Sequence, residues 1–179
     1  QGYEKADLPD SFFDIAIGNV PFGDFKVNDK RYDKNNFLIH DYFFAKTLDK
    51  VRPGGVIAFI TSKGTMDKAS PEVRKYLAQR ADLLGAIRLP DNTFTKNAGT
   101  KVTSDIIFLQ KRENLTDIMP DRVYLDRDEN NITMNKYFVD NPDMILGKME
   151  IVSTAYGYDS TCKAEEDTNL EEQLNYAIT

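Results

Sequence analysis

Phe12-Phe13-Asp14-Ile15-Ala16-Ile17-Gly18-Asn19-Val20-Pro21-Phe22 is the stretch that decides the fold of this chain. Residues 12–18 read as a buried strand: a short, nearly unbroken apolar run rich in aromatic and β-branched residues. Asn19, Val20, Pro21 and Phe22 then emerge at its carboxyl end, the end at which open α/β sheets bind ligands. The Asn19 side-chain oxygen and the Val20 carbonyl can both accept hydrogen bonds from one exocyclic amino group. Phe22 offers a flat face to the ring that carries it. Two acceptors outside the ring plane draw that nitrogen toward tetrahedral geometry and stabilise the positive charge it gains as it attacks an electrophile. Asn-x-Pro is also ordinary turn chemistry after a strand, so the tetrapeptide admits both readings.

Working outward, residues 24–36 are polar and charged and read as a mobile loop. An amphipathic helix is expected over 36–51, stopped by Gly54-Gly55. Residues 56–61 are unbroken apolar and predict a central strand. Ser70-Pro71 opens the next helix with an N-cap and a first-turn proline, running to about residue 80. Strands follow at 83–89 and 104–110, joined by a long loop over 92–102 and paired as an antiparallel hairpin. The order strand, helix, strand, helix, strand, strand is α/β with a closing hairpin. Beyond residue 111 the pattern weakens. A short strand at 123–125 and helical turns at 134–138 and 142–146 are expected, then an irregular stretch over 153–168 and an acidic amphipathic helix over 169–178. This divides the chain into 1–111 and an acidic extension or linker, 112–179.

The chain has 179 residues, one cysteine and a net charge of −6. The lone Cys162 rules out an internal disulfide framework and fits a reducing compartment such as a cytoplasm. No apolar stretch approaches membrane-spanning length, and no membrane partner is expected. Residues 150–179 hold seven acids against one base, which leaves 1–149 balanced. A module that grips nucleic acid alone carries a basic excess; here another part of the protein would hold it, or nucleic acid is not the partner. The chain opens Gln1-Gly2 without an initiator methionine, which suggests a piece of something longer.

The segment from Phe13 to Gly23 resembles the catalytic motif of amino-group DNA methyltransferases, usually written (D/N/S)-P-P-(Y/F/W). The variant with Val20 and Gly23 is most similar to the adenine methylase part of large methylase–helicase proteins of bacterial mobile elements. The similarity continues through His40-Asp41-Tyr42-Phe43-Phe44, through Arg52-Pro53-Gly54-Gly55 into the strand that follows, through Leu89-Pro90 with Phe94, and through Asp105-Ile106-Ile107-Phe108-Leu109. A weaker echo lies at Tyr137-Phe138 and Leu146-Gly147-Lys148. It covers most of residues 12–111 and loosely 135–150. The resemblance implies the C-terminal half of a class I, Rossmann-like methyltransferase sheet ending in an antiparallel hairpin. It implies methyl transfer from S-adenosylmethionine to the N6 amine of a flipped adenine in DNA, within a restriction-modification setting. Asn19, Val20, Pro21 and Phe22 would be catalytic. Val20 replaces the family's first proline; it keeps the carbonyl, and a residue before proline is still held extended, with some rigidity lost.

The family's Gly-rich cofactor loop and ribose-binding acid precede this motif, so the cofactor residues are expected upstream and the chain alone is expected to be inactive. Phe94 would pack against the flipped base or anchor its loop. Lys63, in Ser62-Lys63-Gly64, would line the substrate cleft or sit in a plain turn. Lys96 and Lys101 would meet phosphates or be solvated. His40 reads as a surface or packing residue, and no metal site is expected. Two rivals stand beside adenine: another planar acceptor (an RNA guanine or a protein glutamine), and a degenerate remnant that serves as an interaction module. With the cofactor half absent, the strand at 12–18 becomes an apolar edge that self-associates or is covered by the chain's own tail.

Overall fold

The computed structural model describes residues 1–95 and 101–179. A four-stranded sheet forms its centre, in the order β1-β2-β4-β3. β1 is Phe13–Asn19, β2 Val51–Ser62, β3 Ala81–Leu89 and β4 Ser104–Lys111. β1 and β2 run parallel, joined through helix α1, Ile39–Lys50; β4 is antiparallel to both β2 and β3. The carboxyl ends of β1, β2 and β3 and the amino end of β4 therefore share one side of the sheet. A short helix α2, Gly64–Asp67, and helix α3, Glu72–Arg80, connect β2 to β3.

The central strand and the closing hairpin match the sequence pattern. β2 lies between two neighbours, and its alternate residues Ile57, Phe59 and Thr61 are buried. Against that face pack Phe44 and Leu48 of α1 and Leu77 of α3. Each fully buried phenylalanine, such as Phe44, contributes about 1.5–3 kcal/mol.

Several boundaries differ from the sequence reading. The glycines do not stop α1. The helix ends at Lys50, β2 begins at once, and Arg52-Pro53-Gly54-Gly55 bulges within the strand, so that Phe13 faces Val51 while Ile15 faces Val56. Gly54 has φ +81°, and a Cβ on Gly55 would stand 2.8 Å from the Arg52 carbonyl; both positions need glycine. Ser70 does not cap α3: Pro71 holds the cap position, with no side-chain bond. The polar stretch 24–36 packs in order. Tyr32, with Phe37, Ile39, Tyr42 and Ala45, forms a second small core, and the Tyr32 hydroxyl donates to Asp49.

β1 is not buried. It is an edge of the sheet, and Phe12, Ile15 and Ile17 are exposed, Ile15 at 60% and Ile17 at 76%. The edge half of the expectation thus holds and the buried half does not.

After β4 the chain returns over the sheet. β5, Leu125–Arg127, pairs with β6, Thr133–Asn135, ahead of helix α4, Lys136–Asp140. Val123, Met134, Phe138, Met149 and Cys162 are buried, the last four in the same core as the sheet. Most of residues 153–168 is not irregular; apart from the hairpin turn, only 164–168 lie outside regular structure. β7, Lys148–Thr154, and β8, Gly157–Lys163, form an antiparallel hairpin. The final helix α5, Leu170–Ile178, is capped by the Asn169 side chain, as its sequence suggests, and packs Leu170, Leu174 and Ala177 on the side of β3. The tail thus lies against β3 and does not cover β1.

Candidate active site

Asn19 ends β1 opposite Ile60 of β2, and the Val20 amide donates to the Ile60 carbonyl at 3.0 Å. That bond extends the ladder one residue past the strand. The Val20 side chain, 3% exposed, is locked in the main core. The tetrapeptide therefore has a fixed footing even without a double proline. Asn19 is exposed, on the same face of β1 as Ile15 and Ile17 by strand alternation. Among the described residues, nothing donates a hydrogen bond to the Asn19 carboxamide or to the Val20 carbonyl. Asn19 is exposed at the carboxyl side of the sheet, while Val20 beside it is buried.

Phe22 is half-exposed beside them. A second exposed aromatic, Phe25 at 55%, was not foreseen from the sequence. Its ring lies on Gly23, where a Cβ would stand 2.6 Å from the ring edge. A side chain at position 23 would displace this exposed ring, and the spacing Phe22-Gly23-x-Phe25 was the available signal. The Phe25 carbonyl accepts from Ile39 at 2.9 Å, which ties the loop to the start of α1.

The neighbouring strand ends are held by buried polar contacts. Arg88, on β3, is fully buried. Its guanidinium makes a bidentate pair with Asp105 on β4, at 2.8 and 2.9 Å, and a third bond to Asp67 of α2 at 2.8 Å. Burial opposes its charge, but the two carboxylates outweigh that and hold it above the ordinary arginine range. The Phe138 ring lies 4.4 Å from the guanidinium carbon. Asp67 also accepts from the Asn135 amide at 2.9 Å. Three elements that end at the carboxyl side of the sheet are thereby locked together.

Lys63 and Lys101 line one cavity of about 410 Å³, together with the β7–β8 hairpin. Asn19 lines a different groove of about 390 Å³, between β1, α1 and the N-terminal residues Tyr3 and Leu8. Phe94 is brought to neither: it packs with Ile87, Leu89 and Leu146, beside Leu170 and Leu174 of α5. Lys96 lies outside the described residues. His40 is buried, 3.6 Å from Asp41, and its Nδ1 has no partner among the described residues; this is a packing position, not a surface one. Among the described residues no group of three or more side chains could hold a metal ion, and no helix is long and apolar enough to cross a membrane.

The Asn19–Phe22 segment thus lies at the carboxyl side of a mixed α/β sheet. The chain belongs to the N-6 DNA methylase family, whose profile matches residues 2–169. Over 107 residues, 58% of the chain, it is 35% identical to defense against restriction protein B of Escherichia phage P1, of which it covers 5%. Over 113 residues, 62% of the chain, it is 29% identical to the rRNA N(6)-adenosine-methyltransferase metl-5 of Caenorhabditis elegans, of which it covers 49%. The chain thus spans half or less of the length of these curated relatives. The crystal structure of the M protein of the type I restriction enzyme EcoKI shares the fold at TM-score 0.50 and 11% identity, covering 93% of this chain and 47% of that one.

Membership implies S-adenosylmethionine as the methyl donor. The groove beside β1 is the place to test its fit. Its side chains with polar atoms are Tyr3, Asn19, Thr47 and Lys50; the Tyr3 and Thr47 hydroxyls bond each other, and Lys50 bonds the Leu8 carbonyl and Asp10. No acidic residue lines it to accept from ribose hydroxyls, and no Gly-rich turn supplies the backbone donors a nucleoside cofactor needs. The described residues of the groove therefore do not fit the cofactor on their own.

Proposed function

We propose that this chain carries the amine-orienting side of an adenine-N6 methyltransferase that acts on DNA. The observation that carries this reading is the placement of the motif: exposed Asn19 ends β1 at the carboxyl side of the sheet, the Val20 backbone is anchored to Ile60 next to it, and the exposed rings of Phe22 and Phe25 follow in the chain. The N6 amine donates one hydrogen bond to each acceptor, and its lone pair turns out of the ring plane. Positive charge develops on that nitrogen as a methyl group arrives, and the same two oxygens stabilise it. No strong base is required, because the amine proton becomes acidic only after the transfer. Phe22 stacks on the base, which offsets part of the cost of taking it out of a helix. In this reading residues 1–111 form the catalytic part and residues 112–179 its cover.

The likeness to an rRNA adenosine methyltransferase favours a second reading, the same chemistry on RNA. One experiment separates them and tests both. The intact protein is given tritiated S-adenosylmethionine with DNA or RNA oligonucleotides, as wild type and as Asn19→Ala. The expected result is transfer to DNA, with a rate about a hundredfold to a thousandfold lower in the variant and little change in DNA affinity. Near-wild-type turnover in Asn19→Ala contradicts the assignment of Asn19. Transfer to RNA alone moves the substrate to the second reading.

A further inference from the structure

The cavity lined by Lys63 and Lys101 is separate from the groove lined by Asn19. It opens at the end of β2, and its far wall is the β7–β8 hairpin, which sequence reasoning did not detect. Lys63 Nζ reaches across to Asp159 Oδ1 at 2.9 Å and to Ser160 Oγ at 3.2 Å. Its floor is rigid. The Lys63 amide donates to the Thr103 carbonyl, the Thr103 and Thr161 hydroxyls stand 3.1 Å apart, and the Cys162 amide donates to Thr103 Oγ1 at 2.9 Å. The lining carries two cations, one anion and several hydroxyl groups, a positive excess in a chain whose net charge is −6. Its position is equally specific. Ser62 lies two residues beyond Ile60, the partner of Asn19, so the cavity mouth is about 7 Å along β2 from that pairing. That is a step of about two nucleotides along a stacked strand.

We infer that this cavity is a nucleic-acid phosphate site. Lys63 and Lys101 grip a backbone phosphate of the strand whose adenine is presented at Asn19, and the Ser160 hydroxyl, which accepts from Lys63, is placed to donate to it; the Thr161 hydroxyl already donates to Asp91 at 2.8 Å. Asp159 occupies Lys63 when no strand is bound and gives it up to the phosphate. The ion pair is partly exposed, so releasing it costs little. The acid thereby keeps the cavity from holding stray anions while a strand positioned by its adenine displaces it. This inference rests on the proposed nucleic-acid substrate.

The test is the salt dependence of DNA binding by the intact protein. Lys63→Gln and Lys101→Gln are each expected to lower the slope of log K against log salt by about one, the signature of one lost phosphate contact. Asp159→Asn is expected to tighten binding, and that gain is expected to vanish in the Lys63→Gln/Asp159→Asn double variant. Inorganic phosphate replacing chloride at equal ionic strength should not compete beyond the general salt effect. Unchanged slopes in both lysine variants overturn the site. So does a gain from Asp159→Asn that persists without Lys63, which would mark a general charge effect, and so does full competition by inorganic phosphate. Unchanged slopes alongside normal methyl transfer sink the cavity alone. Shifted slopes without any transfer to nucleic acid sink the proposed reaction and leave the cavity standing.

Discussion

β1 and β3 are the two edges of one sheet, and they are finished in opposite ways. β3 is closed. At its carboxyl end Ile145 bridges to Arg88, the Leu146 amide donates to the Arg88 carbonyl, and α5 lays Leu170 and Leu174 beside Ile87 and Leu89. The Arg88 side chain ties that edge to β4 and α2. β1 has no such cover among the described residues, and Ile15 and Ile17 face outward. The motif residues belong to the open edge and the supporting network to the closed one. Binding chemistry needs acceptors that the protein itself leaves unsatisfied, whereas holding them in place needs neighbours that are fully satisfied.

The largest effect is expected where the closed side is broken. Arg88→Met removes the only cation among the described residues that the Asp105 side chain contacts, and leaves that carboxylate fully buried. Stranding one member of such a pair costs about 3–5 kcal/mol, read as a lower urea midpoint. The double variant Arg88→Met/Asp105→Leu, which removes the stranded charge as well, is expected to recover part of that loss. A loss below about 1 kcal/mol in the single variant would show that this network does not brace the strand ends.

Cys162 sharpens the same comparison, because its carbonyl accepts from Asp91 just past β3 and its side chain sits in the core. Burial pushes the thiol up to about 12, from an ordinary 9.0. The sign follows directly. The folded state resists forming the thiolate, so this contribution is complete below pH 9 and is lost as pH rises from 9 to 12, at about 1.4 kcal/mol per unit. At pH 8 the thiol should resist iodoacetamide in the native protein and react on unfolding. Rapid alkylation under native conditions would mean that the closed side opens locally.

The four central strands and the last helix were legible because each carries an unbroken apolar run or a 3.6-residue period. The β7–β8 hairpin was not. Only Met149 and Cys162 among its side chains are buried, and Tyr156 and Tyr158 are fully or mostly exposed, so neither strand alternates cleanly. The order of residues 24–36 was hidden for a similar reason: Tyr32 and Phe37 stand among charges, and the core they share is completed by α1. At the site, the position of Asn19 could be read because a motif follows a strand directly. The facing of Lys63 by Asp159, 96 residues away, and of Phe94 by α5 are long-range facts that no local pattern encodes. Arg88 and Asp105 left a fainter trace, as opposite charges near the ends of two strands that pair with each other.

The smallest effect on stability, and the sharpest test of the open edge, is expected at Ile17. Its side chain is largely exposed, so Ile17→Lys should change the folding free energy by no more than about 0.5 kcal/mol. Its effect on association should be far larger. An apolar strand with unpaired backbone groups is a template for another strand, and a lysine on the edge blocks that pairing. Neither α5 nor the β7–β8 hairpin screens β1, since the first packs beside β3 and the second meets the ends of β2 and β4. The chain, produced as residues 1–179, is therefore expected to self-associate through β1, and Ile15→Lys/Ile17→Lys to be monomeric by multi-angle light scattering. Hydrogen exchange supplies the check on mechanism: the amides of Phe13–Asn19 should be slower in the associated wild type than in the monomeric variant. A wild type that stays monomeric at every concentration would show that exposure of Ile15 and Ile17 is tolerated as it stands. Association that survives both lysines would place the contact elsewhere, and the contrast between the two edges would then be one of packing without consequence for assembly.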